Sequence, residues 1–118
     1  MRETVAAMVM VAMMLGPMRA QAADLRPRSA SEVTRTVRAR FSSIRACHEL
    51  ASRRAPLPGG KVTVRFRIVA SGAVDSVEVA AAPFAGTTLP TCVASAVRRL
   101  QFAPSSGAPF QASYPIVF

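Results

Sequence analysis

The sequence predicts an α+β domain of order helix-strand-strand-helix-strand, with a three-stranded antiparallel sheet covered on one face by two helices. Three observations carry this. Two segments repeat apolar residues at helical spacing. The run "KVTVRFRIVASGAVDSVEVAAAP" alternates in and out as a hairpin. A second alternating run, "FQASYPIVF", follows the second helical segment. A right-handed crossover from the second strand to the third leaves room for the first between them, so the expected strand order is 2-1-3.

The chain has 118 residues. It opens with Arg2, an apolar run to Leu15, the breakers Gly16 and Pro17, and Ala20-Gln21-Ala22, which has small residues at the two positions a signal peptidase reads. The apolar stretch is about a dozen residues, and a membrane span needs about twenty. Residues 1–22 therefore read as a cleaved secretory signal, with an uncleaved short anchor as the alternative, and the mature chain is expected to begin near Ala23. No cysteine sits at the cleavage region, so a lipoprotein signal is not supported. Residues 23–29 form a short polar lead, and residues 30–118 a single domain with enough chain for one core.

In the first helix, Ser29 and Glu32 have capping-box spacing. Val33, Val37, Phe41, Ile44, His48 and Ala51 then recur at helical intervals with arginines between them. The spacing predicts one helix from about Ala30 to Arg54, ended by Pro56, Pro58, Gly59 and Gly60. In the hairpin, Val62, Val64, Phe66 and Ile68 alternate with Thr63, Arg65, Arg67 and Val69, and Ala70 to Ala73 make the turn. The return strand, Val74 to Ala81, turns Val77 and Val79 inward. Val74 is out of phase with that pair and predicts a bulge or strand start. Glu78, facing outward, falls near Arg65 or Arg67. "PFAGTTLP" reads as loop. The second helix spans about Leu89 to Leu100, with Pro90 tolerated in its first turn and Leu89, Val93, Ala96, Val97 and Leu100 as its apolar stripe. After the loop "APSSGAP", the last strand sets Tyr114, Ile116 and Phe118 on one face. Pro115 cannot donate to a ladder, which predicts an edge strand. The other sheet face, with Thr63, Arg65, Arg67, Glu78 and Ser113, is expected to be wet.

The quoted stretches resemble the C-terminal domain of AgmX/PglI-type proteins, a relative of the TonB C-terminal domain. "IRACHEL", "GKVTVRFRIVASGAVDSVEV", "CVASAVRRLQFAP" and "YPIVF" carry the resemblance, which covers about Val33 to Phe118, with a cysteine in each helix. It implies a small periplasmic module that binds other proteins and has no catalysis of its own. TonB domains bind a short transporter segment at a sheet edge. This chain departs from TonB in showing no clear anchor and no long Pro-rich spacer. His48 stands where the family often has an aromatic residue, and Leu100 where it often has Trp.

Cys47 and His48 are adjacent, and His48 is the one histidine. Neighbouring helical residues point about 100° apart, so a nucleophile and base at these positions do not share a face. One His and two Cys fall short of a four-ligand structural zinc site, and no CxxC or HxxxH spacing exists. No catalytic residue, metal site or cofactor is therefore assigned, and His48 reads as a partly buried packing residue. Cys47 and Cys92 make better sense together. An export signal, two cysteines and a small domain predict one disulfide joining the helices.

Arginine and lysine number 15 against six acidic residues, and Lys61 is the one lysine. Loss of Arg2, Glu3 and Arg19 with the signal leaves a net charge of about +8. Outside the cytoplasm such a surface meets lipid head groups, lipopolysaccharide and cell-wall polymers. No aromatic interleaving supports base stacking, so nucleic acid is not the expected partner. Arg35, Arg38, Arg45 and Arg53, on the exposed side of the first helix, are the candidate anionic-surface contacts, with a plain solvated face as the alternative. The expected function is a periplasmic or secreted protein-interaction module whose partner, an envelope protein or peptide, adds alongside the last strand at Gln111, Ser113, Tyr114, Ile116 and Val117. The competing reading is a basic protein that binds cell wall or lipopolysaccharide.

Overall fold

A computed structural model describes residues 25–118. The signal-peptide assignment, residues 1–22, and the start near Ala23 lie outside the described residues. The elements are α1 (Ala30–Ala39), α2 (Phe41–Arg54), β1 (Lys61–Ile68), β2 (Val74–Ala80), a 3₁₀ turn at Ala82–Phe84, α3 (Leu89–Arg98) and β3 (Phe110–Val117). The three strands form one antiparallel sheet of order β2-β1-β3. The α+β architecture and the strand order are those the sequence predicts. No helix of the described residues is long and apolar enough to cross a membrane.

The helix expected from Ala30 to Arg54 is two helices. Arg40 leaves helical geometry (φ −112°, ψ 14°) and serves as C-cap of α1 and N-cap of α2. Its backbone N–H turns back to the carbonyl of Val37 at 3.1 Å. No glycine or proline marks the break. Its cause is tertiary: α1 lies beside β3 while α2 packs on α3, and one straight helix cannot serve both. At the N-terminus of α1, the Ser29 hydroxyl accepts from the backbone N–H of Glu32 at 3.3 Å. The other half of the predicted capping box is diverted, because the Glu32 carboxylate accepts from Arg28 Nη1 at 3.1 Å.

One face of β1 enters the core completely. Val62, Val64, Phe66 and Ile68 are all buried beneath Val37, Ile44, Leu89, Val93 and Val97 of the helices. The β1–β2 register slips between Arg67 and Ile68, so that Arg67 faces Ser76 while Ile68 faces Val74. This is the bulge that the phase of Val74 predicts. Glu78 stands directly opposite Arg65. Arg67 instead forks onto Asp75, with Nε and Nη2 donating at 2.8 and 2.7 Å. That contact lowers the Asp75 carboxyl and raises the Arg67 guanidinium. At the hairpin turn, Gly72 has φ +96°, and a side chain there would collide with the Phe102 carbonyl, which leaves glycine as the residue that fits.

Residues outside the predicted helices and strands contribute to the core. Phe84, in "PFAGTTLP", is fully buried, and Phe102 is 3% exposed. Arg28, in the polar lead, is buried over the Phe102 ring at 5.6 Å from its centroid. Its Nη2 donates to Ser105 Oγ at 3.0 Å and to the Val69 carbonyl at 3.3 Å. The second predicted helix ends two residues early, at Arg98, and Leu100 stays buried beyond it.

Candidate functional site

β3 pairs with β1 on one side, and no described strand pairs with its other side. The phase of that free edge follows from the last pair. Gly60 and Phe118 exchange both backbone hydrogen bonds, N to O at 3.2 and 2.9 Å. In an antiparallel ladder such pairs alternate with pairs whose N–H and C=O groups point away from the partner. The β1–β3 register runs without a slip from Lys61↔Val117 to Ile68↔Phe110. Gln111, Ser113, Pro115 and Val117 therefore turn their backbone groups outward, away from β1. Pro115 offers a carbonyl and no donor, which is why a proline is accommodated here without a broken ladder bond.

Side chains divide by the same alternation. Gln111, Ser113 and Val117 are exposed on the sheet face opposite the helices, with Val117 at 78%. Tyr114 is half-buried on the helix side. Ile116 is a core residue, 2% exposed. Of the five predicted edge positions, Gln111, Ser113 and Val117 thus present both backbone and side chain outward. Tyr114 and Ile116 contribute through their packing. Where α1 passes β3, a small cavity of about 150 Å³ opens between Ala30, Val33 and Thr34 on the helix and Phe110, Ala112 and Tyr114 on the strand. The helical half of this groove was not read from the sequence, because periodicity assigns Val33 to the core and says nothing of which strand it flanks.

The other edge of the sheet differs. β2 carries the bulge and the acidic residues Asp75 and Glu78, and just before it Ala73 makes an isolated bridge to Gln101. A bulge and charge blunt an edge against added strands. β3 has a regular ladder and no acidic residue along its eight positions.

Cys47 and Cys92 form a disulfide between α2 and α3, with Cα atoms 5.6 Å apart. Cys47 belongs to the core at 2% exposure. Its sulfur is covalently engaged, so it is neither a thiol nucleophile nor a thiolate ligand in this state. The His48 ring lies flat on Phe118, centroids 5.0 Å apart and planes 4° from parallel. Phe84 meets the same Phe118 ring edge-on at 5.9 Å. His48 is thus a packing residue on the C-terminal end of the β3 ladder. Among the described residues, no three His, Cys, Asp or Glu side chains gather as a metal site would require.

Arg35, Arg38, Arg45 and Arg53 are all exposed. The break at Arg40 puts the first two on α1 and the last two on α2, so they do not form the single helix face expected of them. Arg45 also covers the Phe41 ring one turn earlier, at 5.6 Å from its centroid. No protein-family model matches this chain, and no curated protein or solved structure does either.

Proposed function

We propose that this chain is a non-catalytic interaction module of the periplasm or the secreted space, of the TonB C-terminal-like type, that accepts an extended peptide of an envelope protein as a fourth strand on β3. The observation that carries this reading is the regular, acid-free outer edge from Gln111 to Val117. An exposed edge of this kind is the template for strand addition, in which backbone bonds supply affinity and side-chain pockets supply selectivity. Donors are available at Gln111, Ser113 and Val117 and missing at Pro115, so pairing is strongest over the first half of the strand. The cavity beside Phe110 and Tyr114 lies along that half. It favours a partner with an apolar residue at alternate positions. The disulfide supports an oxidising compartment, consistent with export.

The test uses the oxidised domain immobilised and exposed to a periplasmic extract, followed by titration of the recovered peptide against labelled domain. Amide shifts are expected along Gln111 to Val117. Ser113→Pro removes one outward donor and leaves every β1–β3 bond in place, so it should abolish capture without loss of fold. Capture that survives Ser113→Pro sinks the strand-addition reading. Binding that instead maps to Arg35, Arg38, Arg45 and Arg53, and fades steeply with ionic strength, supports the polyanion reading in its place.

A further inference from the structure

A cleft of about 330 Å³ separates the α1–α2 junction from the C-terminal end of α3. Its floor is apolar, formed by the buried Ile44 and Leu100. Its polar lining is Arg40, Ser43, Arg99 and Gln101, and no carboxylate lines it. Both arginines are exposed, and neither takes part in an ion pair among the described residues. Two residues far apart in sequence, one at the helix break and one at the C-cap of α3, thus bring positive charge with no ion-pair partner among the described residues to a single concavity.

We propose that this cleft binds a phosphate-bearing anion through Arg40 and Arg99. Like charges brought to one cleft repel unless an anion stands between them. Guanidinium forks match the oxygens of phosphate, and a phosphate group has enough acceptors to engage both forks. The Ser43 hydroxyl adds a neutral donor at the same wall, while the Gln101 amide is turned away to the Ser71 and Phe102 carbonyls at 3.4 and 3.3 Å. The helix dipoles do not decide the matter, because the N-terminus of α2 meets the C-terminal ends of α1 and α3 here, and the two guanidinium groups define the site. The simplest competing account for Arg99 is complementation of the α3 dipole. Arg98 already stands in the last turn of α3 to do that. The proposal is independent of strand addition on β3: the cleft is lined by residues of α2 and α3, by Arg40 and Arg99 that cap them, and by Leu100 and Gln101, and by none of β3.

The phosphate chemistry has two sources, a soluble phosphate or a lipid head group, and the experiment separates them. In the first arm, inorganic phosphate is titrated into the labelled, oxidised domain. Saturable shifts are expected at the amide of Ser43 and the Nε–H groups of Arg40 and Arg99. The paired substitution Arg40→Gln and Arg99→Gln should weaken binding about tenfold or more. Arg54→Gln, which removes one charge at the far end of α2, about 21 Å from Arg40 at 1.5 Å per residue, should change it less than about twofold. In the second arm, phosphatidylcholine vesicles with and without phosphatidic acid are sedimented with the same proteins. Co-sedimentation that needs phosphatidic acid and is lost in the paired variant identifies a lipid head group. Saturable phosphate binding without co-sedimentation identifies a soluble ligand. All substituted positions are exposed, so unchanged thermal unfolding confirms that each variant is folded. Shifts spread over all arginines in proportion to salt, or equal losses in Arg54→Gln and the paired variant, would overturn the site in favour of general charge.

Discussion

Arg28 is the side chain whose environment differs most from what its residue type suggests. Its side chain is 1% exposed. It joins three separate parts of the fold: Glu32 on α1, the Val69 carbonyl after β1, and Ser105 before β3. Its Nε alone has no partner. Removing a buried charged donor strands its acceptors, so Arg28→Met is expected to cost about 2–3 kcal/mol. Arg28→Lys should recover less than half of that, since a point charge cannot reproduce the fork. Urea unfolding of the three proteins checks the ranking, and a neutral Arg28→Met would remove the clamp. The Arg67–Asp75 pair has a different signature. Its contact holds the Asp75 carboxyl below its ordinary value. The stabilisation it gives is therefore present above the unfolded-state carboxylate pKa, about 3.9, and is lost as pH falls through the lower folded value. Asp75→Asn should lower stability slightly near neutrality, since a half-exposed pair contributes little, and match the parent below the folded value, so that the variant's profile is flatter across that acid window.

At the scale of elements, the disulfide is the covalent tie between α2 and α3. It closes a loop of 45 residues, which chain-entropy reasoning values at about 4 kcal/mol. Cys47→Ala and Cys92→Ala should each lower stability by about that amount, and the double variant by little more, since all three remove the same bond. Thermal unfolding of the set measures this, and additive losses would show two independent thiol contributions instead. The tie also shows what sequence reasoning reaches. The expected export signal, the cysteine count and helix placement lead to the pairing, and alternation leads to β1, β2 and β3. The phase of one residue, Val74, leads to the bulge. The break at Arg40 has no local mark, because it comes from two packing directions rather than from a residue that prefers to leave a helix. Phe84, Phe102 and Arg28 escape for a related reason. They lie in stretches without a repeat, where burial depends on what the rest of the chain lays over them. The Arg40–Arg99 cleft was invisible for the same cause, being assembled only when the end of α3 meets that break.

For the whole molecule, the placement of the disulfide divides the chain into unequal parts. β1 and β2 lie inside the covalent ring, between Cys47 and Cys92, while α1 and β3 lie outside it. When β1 and β2 come apart, the ring still limits how far they spread. When β3 leaves the sheet, its residues gain the full freedom of an open chain, and the same is true of α1. The return in disorder is therefore greater for the outer segments, and opening is expected to proceed from them inward. Native-state hydrogen exchange should read this as two tiers. Amides of β3 that bond to β1, such as those of Ala112, Tyr114 and Ile116, should exchange through a partial opening of lower free energy. Amides joining β1 to β2 should exchange only with global unfolding. A single free energy shared by both ladders would show that β3 is no more detachable than the hairpin. Two tiers would mean that the strand proposed to receive a partner belongs to the most readily opened cooperative unit of the sheet, so that ligand binding would register as slowed exchange there before it registered anywhere else.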